Sequence, residues 1–202
     1  MQPFELNKSL NNKNVIMFTE NEIIDGCLKN DRKMQKVLYD LYASRLYALC
    51  LRYAHDRAEA DDILQEGFVK VFFKIHQFSR QHSFEGWLKR IIVNTAITHY
   101  HQNVKHYYQK DIDEIHESEI YGANDAVEGE YSTEELLNVV QGLSVGYRTV
   151  FNLYAVEGYK HKEIAEMLKI DEATSKSQFH RAKKIIQERL QLLESRNTTI
   201  RE

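Results

Sequence analysis

The chain has 202 residues, 43% of them hydrophobic and 28% charged, with a formal net charge of −3. That length admits one large domain or two small ones, and the composition suits a soluble globular protein. No run approaches the roughly 18 consecutive apolar residues of a membrane-spanning helix, and MQPFELNKSLNNKNVIMF lacks the basic start and apolar core of a signal peptide. The protein is expected to be cytoplasmic and not membrane-spanning.

Only one proline occurs, Pro3, so nothing interrupts helices over the remaining chain. Leu, Lys, Glu, Gln and Ala populate the periodic segments, which predicts an all-α fold. The two cysteines, Cys27 and Cys50, lie far apart in apolar helical contexts with no CxxC pattern, and read as buried free thiols.

Residues 1–18 are polar and Asn-rich and read as a flexible tail. Thr19 and Glu22 have the spacing of a capping box, which starts a helix near Glu20 and opens a helical domain over 19–103. Within it, Leu64, Phe68, Val71, Ile75 and Phe78 recur at alternating spacings of four and three on one helix stripe. Asp61 and Asp62 read as the start of that helix, where acids favour the positive end of its dipole. Gln65, Glu66 and Val69 fall off the core stripe with Asp62, so they also form a face able to dock on a basic partner helix. After a break at Ser79–His82, Ser83 is the expected N-cap of a helix with apolar face Phe84, Trp87, Leu88, Ile91 and Ile92. Its other faces carry Lys89, Arg90, Asn94, Thr95, Thr98 and His99. Cations, an amide and nearby aromatics such as Phe78 suit a single DNA strand.

Residues 104–131 lose periodicity and turn acidic, and read as a flexible linker between two domains. From Gln109 to Glu135 the only basic residue is Lys110. Order resumes over 132–195 with a second capping box, Ser132 and Glu135, and a further helix over about Val145–Val156. Next come Ile164, Ala165, Met167 and Leu168 on a short helix, then the break Lys169-Ile170-Asp171. A second helix carries Phe179, Ala182, Ile185, Ile186 and Leu190 on one side. Around the rest stand Lys176, Arg181, Lys183, Lys184 and Arg189. Two helices with a tight turn, the second basic, describe a helix-turn-helix. The small net charge thus hides strong segregation of sign.

The chemistry of enzymes finds little support. His99, His101 and His106, at spacings of two and five, do not place three metal ligands on one helix face. There is no HExxH, P-loop, dinucleotide glycine fingerprint or GxSxG. The expectation is no enzyme activity, no metal, no cofactor and no small-molecule substrate.

In order, these segments resemble the extracytoplasmic-function (ECF) sigma factors. DDILQEGFVKVFFKIHQF resembles that family's region 2.2, and SFEGWLKRIIVNTAITHY its regions 2.3 and 2.4. GYRTVFNLYAVEGYKHKEIAEMLKIDEATSKSQFHRAK resembles region 4. The resemblance implies an alternative sigma factor that binds core RNA polymerase and promoter DNA. Asp61, Asp62, Leu64, Gln65, Glu66 and Val69 would meet the β′ clamp helices, and the second domain the β flap. The loop Phe78–Phe84 with Asn94 would capture a base flipped from the −10 element, offsetting a few kcal/mol of lost stacking and pairing. Lys89, Arg90 and His99 would lie on the same DNA. At the −35 element, Thr174, Lys176, Ser177, His180, Arg181 and Lys184 would line the recognition helix, with His161 and Lys162 near phosphates. The acidic linker would thread the polymerase channel, and an anti-sigma factor is a further implied partner. The alternative is a helix-turn-helix regulator that binds duplex DNA without joining polymerase. A helical protein–protein adaptor, the third class, would show no salt-dependent DNA binding.

Four positions depart from the family pattern. Lys169 replaces a turn glycine, at roughly 1 kcal/mol if the backbone there is left-handed. Lys160 replaces a Ser or Thr cap, a loss of about 1 kcal/mol. Val145 stands where proline is frequent and Ser175 where an apolar residue is common.

Overall fold

Side-chain caps set where most of the helices begin in the computed structural model, which describes residues 18–114 and 131–201. Helix α1 (Glu20–Leu28) starts at Thr19, whose Oγ1 accepts from Glu22 N–H at 3.3 Å while the Glu22 carboxylate accepts from Thr19 N–H at 2.7 Å. Asp31 caps α2 (Arg32–Tyr53) by accepting from Lys33 N–H at 2.8 Å. Asp56 caps α3 (Arg57–Lys74) through Glu59 N–H at 2.9 Å, and a 3₁₀ turn (Ile75–Gln77) extends it. Ser83 Oγ accepts from Gly86 N–H at 3.2 Å at the start of α4 (Phe84–Glu114). Helix α5 (Thr133–Gln141) opens on the expected Ser132–Glu135 box. Among the described residues there is no strand, and the fold is all-α.

Two boundaries differ from the sequence reading. Helix α3 begins at Arg57, so Asp61 and Asp62 lie in its second turn. The dipole at its N-terminus is met by Asp56 and Glu59, and the acidic pair is left without that local role. Helix α4 continues to Glu114, into the stretch read as linker, because no proline or glycine stands between Gly86 and Gly122 to end it. Residues 115–130 of the expected linker, and residues 1–17 of the expected tail, lie outside the described residues.

The first four helices share one core. Leu38 and Leu46 of α2, Ile63 and Val71 of α3, and Leu88 and Ile92 of α4 are essentially inaccessible to water. The α3 stripe is buried as expected through Ile75. At Gly67 a Cβ would meet Ile92 Cδ1 at 2.3 Å, so the end of the Ile92 side chain occupies the space a larger residue on α3 would fill. Cys27 and Cys50 are buried free thiols, and burial pushes them up to about 11 and about 12 respectively, so both stay protonated.

After α5, helix α6 (Val145–Phe151) loosens into a π-helical turn (Asn152–Val156), closed by Glu157 N–H to Asn152 O at 3.0 Å. Gly158 then takes a φ of 79°, which suits glycine, and turns the chain into α7 (His161–Leu168) and α8 (Glu172–Arg201). Val150, Leu153, Ile164, Leu168 and Ala182 bury these helices together, and Val145 is itself buried at the head of α6. Lys160 offers α7 no side-chain acceptor. What remains of that cap is Glu163 accepting from Lys160 N–H at 2.7 Å.

Lys169 ends α7 at φ 56° and ψ 46°, the left-handed conformation anticipated for it. Ile170 N–H reaches back to Ala165 O at 3.1 Å, which satisfies one carbonyl of the last turn. The geometry is therefore that of a glycine-terminated turn built with a lysine. Lys169→Gly should raise the stability of this domain by about 1 kcal/mol, measured as a higher urea midpoint with an unchanged slope.

Candidate nucleic-acid and partner interfaces

Helix α3 presents a mixed acidic and apolar face. Asp61, Asp62 and Gln65 are exposed, and Val69 is 67% exposed. Phe73, four residues after Val69 and 76% exposed, continues this face beyond where the sequence reading ended it. The signal was present in the spacing, since 62, 65, 66, 69 and 73 recur at helical intervals. Leu64 is only 5% exposed. It belongs to the core stripe and supports the face from behind, so it is not available to touch a partner.

Glu66 is already engaged. Its carboxylate accepts from Lys70 Nζ at 2.7 Å and from His99 Nε2 at 2.7 Å. A carboxylate only accepts, so the His99 proton is on Nε2. The Lys70 hydrogen bond, aided by His99 and opposed by partial burial, holds the Glu66 carboxyl below its usual range. His99 thus ties α4 to α3 and is mostly covered, which makes it a poor direct contact for DNA.

On α4, Lys89, Arg90 and Asn94 are exposed. Lys89 is paired with Glu85 at 3.0 Å. Phe78, Phe84 and Trp87 form one aromatic cluster, with Phe84 and Trp87 stacked at 5.7 Å. Phe84 is 2% exposed and also meets the Tyr42 ring edge-on, so it cannot receive a base. It is the floor of the cluster, and the half-buried Phe78 and Trp87 are its accessible rings.

The second domain carries the basic face. Lys176, Ser177, His180 and Arg181 are exposed, with Lys184 half-buried one turn further on α8. Lys176 pairs with Glu172 at 2.6 Å, Lys184 approaches Glu188 at 4.0 Å, and Arg181 Nη1 donates to Tyr147 OH at 3.2 Å. Ser177 Oγ donates to Thr174 O at 3.0 Å, keeping both hydroxyl-bearing residues on the helix. Exposed i,i+4 pairs contribute only about 0.3–0.5 kcal/mol each, so phosphates can displace them. Arg189, grouped with these cations in the sequence, instead donates to Val139 O at 3.2 Å at the end of α5.

His161 has a more specific place than its position near phosphates suggested. Its ring stacks on Tyr154 at 4.3 Å, lies edge-on to Phe179, and its Nδ1 is 2.9 Å from Ser175 Oγ. Ser175, the hydroxyl where an apolar residue was expected, is fully buried and uses this bond to satisfy itself. Burial, with repulsion from Lys176, lowers the His161 pKa. Lys162 beside it is exposed.

These features define a two-domain helical protein with an acidic–apolar face on one domain and a basic helix-turn-helix on the other. Family models agree: Sigma-70 region 2 matches residues 38–106 and Sigma-70, region 4 matches residues 133–186, together more than half of the chain. The RNA polymerase sigma-H factor of Pseudomonas aeruginosa is 25% identical over 184 residues, covering 86% of this chain and 95% of that protein. The ECF RNA polymerase sigma factor SigW of Bacillus subtilis is 29% identical over 178 residues, covering 80% and 91%. A solved structure of the sigma factor RpoE with the anti-sigma factor NepR from Bartonella quintana has a TM-score of 0.48 at 23% identity, covering 77% of this chain and 96% of that one. The chain belongs to the sigma-70 family as an extracytoplasmic-function sigma factor, and so directs transcription initiation.

Because the folded pKa of His161 is depressed, the neutral ring is the form the fold favours. Its contribution is complete above the unfolded value of about 6.5 and is lost as pH falls through the lower folded value. The ring proton resonances of His161 should titrate below the usual histidine value of about 6.5, and His161→Phe should flatten the loss of stability as pH falls below that value.

Proposed function

We propose that the chain divides its work between residues 19–103, which dock on core polymerase and hold the −10 element, and residues 132–195, which hold the −35 element. The observation that carries this reading is the pairing of two exposed faces of opposite character on separate domains. A regulator that only binds duplex DNA has no use for Asp62, Gln65, Val69 and Phe73 displayed together on α3, where none of them serves the fold.

In this division α3 meets the basic clamp helices of polymerase through Asp61, Asp62, Gln65, Val69 and Phe73, with Glu66 fixing α4 behind it. Promoter melting uses the accessible rings Phe78 and Trp87 and the amide of Asn94, with Lys89 and Arg90 on the strand's phosphates. No nucleotide hydrolysis is assigned to the chain; base capture offsets the unstacking. Lys176, Ser177, His180 and Arg181 enter the major groove from α8, while Lys162 and Lys184 take backbone phosphates. The β flap and an anti-sigma factor complete the partners that the family resemblance implies. No helix among the described residues is long and apolar enough to cross a membrane, and the proposed site of action is the cytoplasm, where polymerase and promoter DNA are.

Lys176→Ala with Arg181→Ala should lower promoter-directed transcription by tenfold or more, from contacts of about 1–3 kcal/mol each, and reduce the salt slope of DNA binding by roughly 1 per lost phosphate contact. Affinity for core polymerase should be unchanged; loss of co-purification would overturn the division of labour. Conversely, Asp62→Ala with Gln65→Ala should weaken core binding by about tenfold, read by fluorescence anisotropy of labelled protein. Undiminished affinity there would remove α3 as the docking face.

A further inference from the structure

The loop between the 3₁₀ turn and α4 is fixed at both of its ends. On one side Phe78 N–H donates to Ile75 O at 3.1 Å, and the Phe78 ring lies 5.0 Å from Phe84 and 5.6 Å from Trp87. On the other, Ser83 caps α4. Ser79, Arg80, Gln81 and His82 between them are exposed. Arg80 takes a φ of 57°, in the left-handed region. Glycine enters that region freely, but in other residues the Cβ crowds the following carbonyl. An arginine held there needs a reason, and backbone outliers of this kind cluster at binding and switch sites.

The reason lies in its side chain. Arg80 Nη1 donates to Asn21 Oδ1 at 3.2 Å, and Nη2 is paired with the Asp25 carboxylate. Asn21 and Asp25 are four residues apart and so share one face of α1. The planar guanidinium presents its nitrogens in a fixed fork, a shape that a lysine ammonium cannot copy. Helix α1 is a firm support for this brace. Ile23, Ile24 and Cys27 bury its other side, the Thr19–Glu22 box closes its first turn, and Glu20 accepts from Tyr42 OH of α2 at 3.0 Å.

The brace contributes little to global stability. The Arg80 and Asp25 side chains are 40% and 54% exposed, and an exposed pair is weak and screened by salt. Such a contact, set against a backbone conformation that opposes it, decides which shape the loop takes rather than whether the domain folds. That shape fixes where Ser79, Gln81 and His82 stand in relation to the accessible rings Phe78 and Trp87. A hydroxyl, an amide and an imidazole supply donors and acceptors that can distinguish one base edge from another, whereas a ring stacks on any base.

We propose that Asn21 and Asp25 of α1 are positioning residues for base selection: through Arg80 they hold the loop in the shape that reads an extruded base. A loop held ready loses less freedom on binding than a loose one. Loosening it lowers the competent fraction, and with it the affinity for the preferred base, while stacking on other bases continues. The assignment rests on the −10 role given above to the Phe78–Phe84 loop; the brace itself does not.

The test uses holoenzyme assembled from bacterial core RNA polymerase and the full chain, as wild type, Asp25→Ala, Arg80→Gly and the double variant. Each is offered a pool of single-stranded oligodeoxynucleotides of randomised sequence, and the captured strands are sequenced against those taken by core polymerase alone. Wild type should enrich one base at the captured position. Asp25→Ala should lower that preference by roughly fivefold, with unchanged affinity for strands that lack the base. Arg80→Gly removes the guanidinium but accepts the left-handed turn, so it should lower the preference as much. The double variant should lower it no further, as for two partners in one contact. Thermal melts and core affinity of Asp25→Ala should match wild type; if it melts lower, Asn21→Ala, which alters no charge, decides by the same loss of preference. A wild type that enriches nothing over core alone overturns the −10 role and the positioning with it. If wild type selects and Asp25→Ala selects equally well, the positioning alone is overturned. Tighter binding of every strand by Asp25→Ala with preference intact would make Arg80 a phosphate contact instead. Additive losses in the double variant would give the two residues separate roles and equally overturn the proposal.

Discussion

The close crossing of α3 and α4 at Gly67 is the constraint on which the first domain's surfaces depend. With no Cβ at that position, Ile92 enters the face of α3 and the two helices bury Ile63, Val71, Leu88 and Ile92 in one layer. Everything on their outer sides is then fixed in relation. Asp62, Gln65, Val69 and Phe73 look one way from α3, and Lys89, Arg90 and Asn94 another from α4. The Glu66–His99 bond spans the same crossing from its polar side. A displacement of one helix would carry both surfaces with it, so the packing between these two helices sets the geometry of two interfaces.

Charge reinforces this separation. The chain's net charge of −3 says little about its partners, because exposed charges are held locally in i,i+4 pairs such as Lys89–Glu85 and Lys176–Glu172. Such pairs are weak in water and screened by salt, yet they keep long cationic side chains aligned along their helices. A polyanion replaces one carboxylate with many phosphates and releases its own counterions, so the exchange favours binding. The acids then remain free to face water. This is how a mildly acidic protein can carry a competent basic face.

Much of the fold was legible because the relevant signals are local. Thr19–Glu22 and Ser132–Glu135 announced helix starts from two residues each, and the α3 stripe followed from spacing alone. Lys169 was marked not by a local signal but by the family resemblance, which places a turn glycine there, and its backbone is left-handed. What escaped depends on contacts distant in sequence. Nothing local marks Phe84 as the floor of an aromatic cluster and Phe78 as its accessible edge. His99 looked like a free cation until Glu66 came to it across the helix crossing. Asp56, overlooked beside the conspicuous Asp61-Asp62 pair, proved to be the cap of α3.

Helix α4 shows why a periodic pattern can be read correctly and still be incomplete. Leu88 and Ile92 mark the stripe against α2 and α3, and that stripe is what an amphipathic reading finds. A second series, Arg90, Val93, Ile97 and His101, runs at spacings of three and four around another side. Val93 lies in the cleft beside Glu157 and His101 bonds Met167 O, so both ends of the series meet the second domain. Two stripes at an angle cancel much of the contrast between faces. The resulting helix looks only weakly amphipathic, although most of its first five turns are covered. Weak amphipathicity in a long helix with many apolar residues therefore has a physical meaning here: it is the mark of a helix with two partners, the second of which is the other half of the same chain.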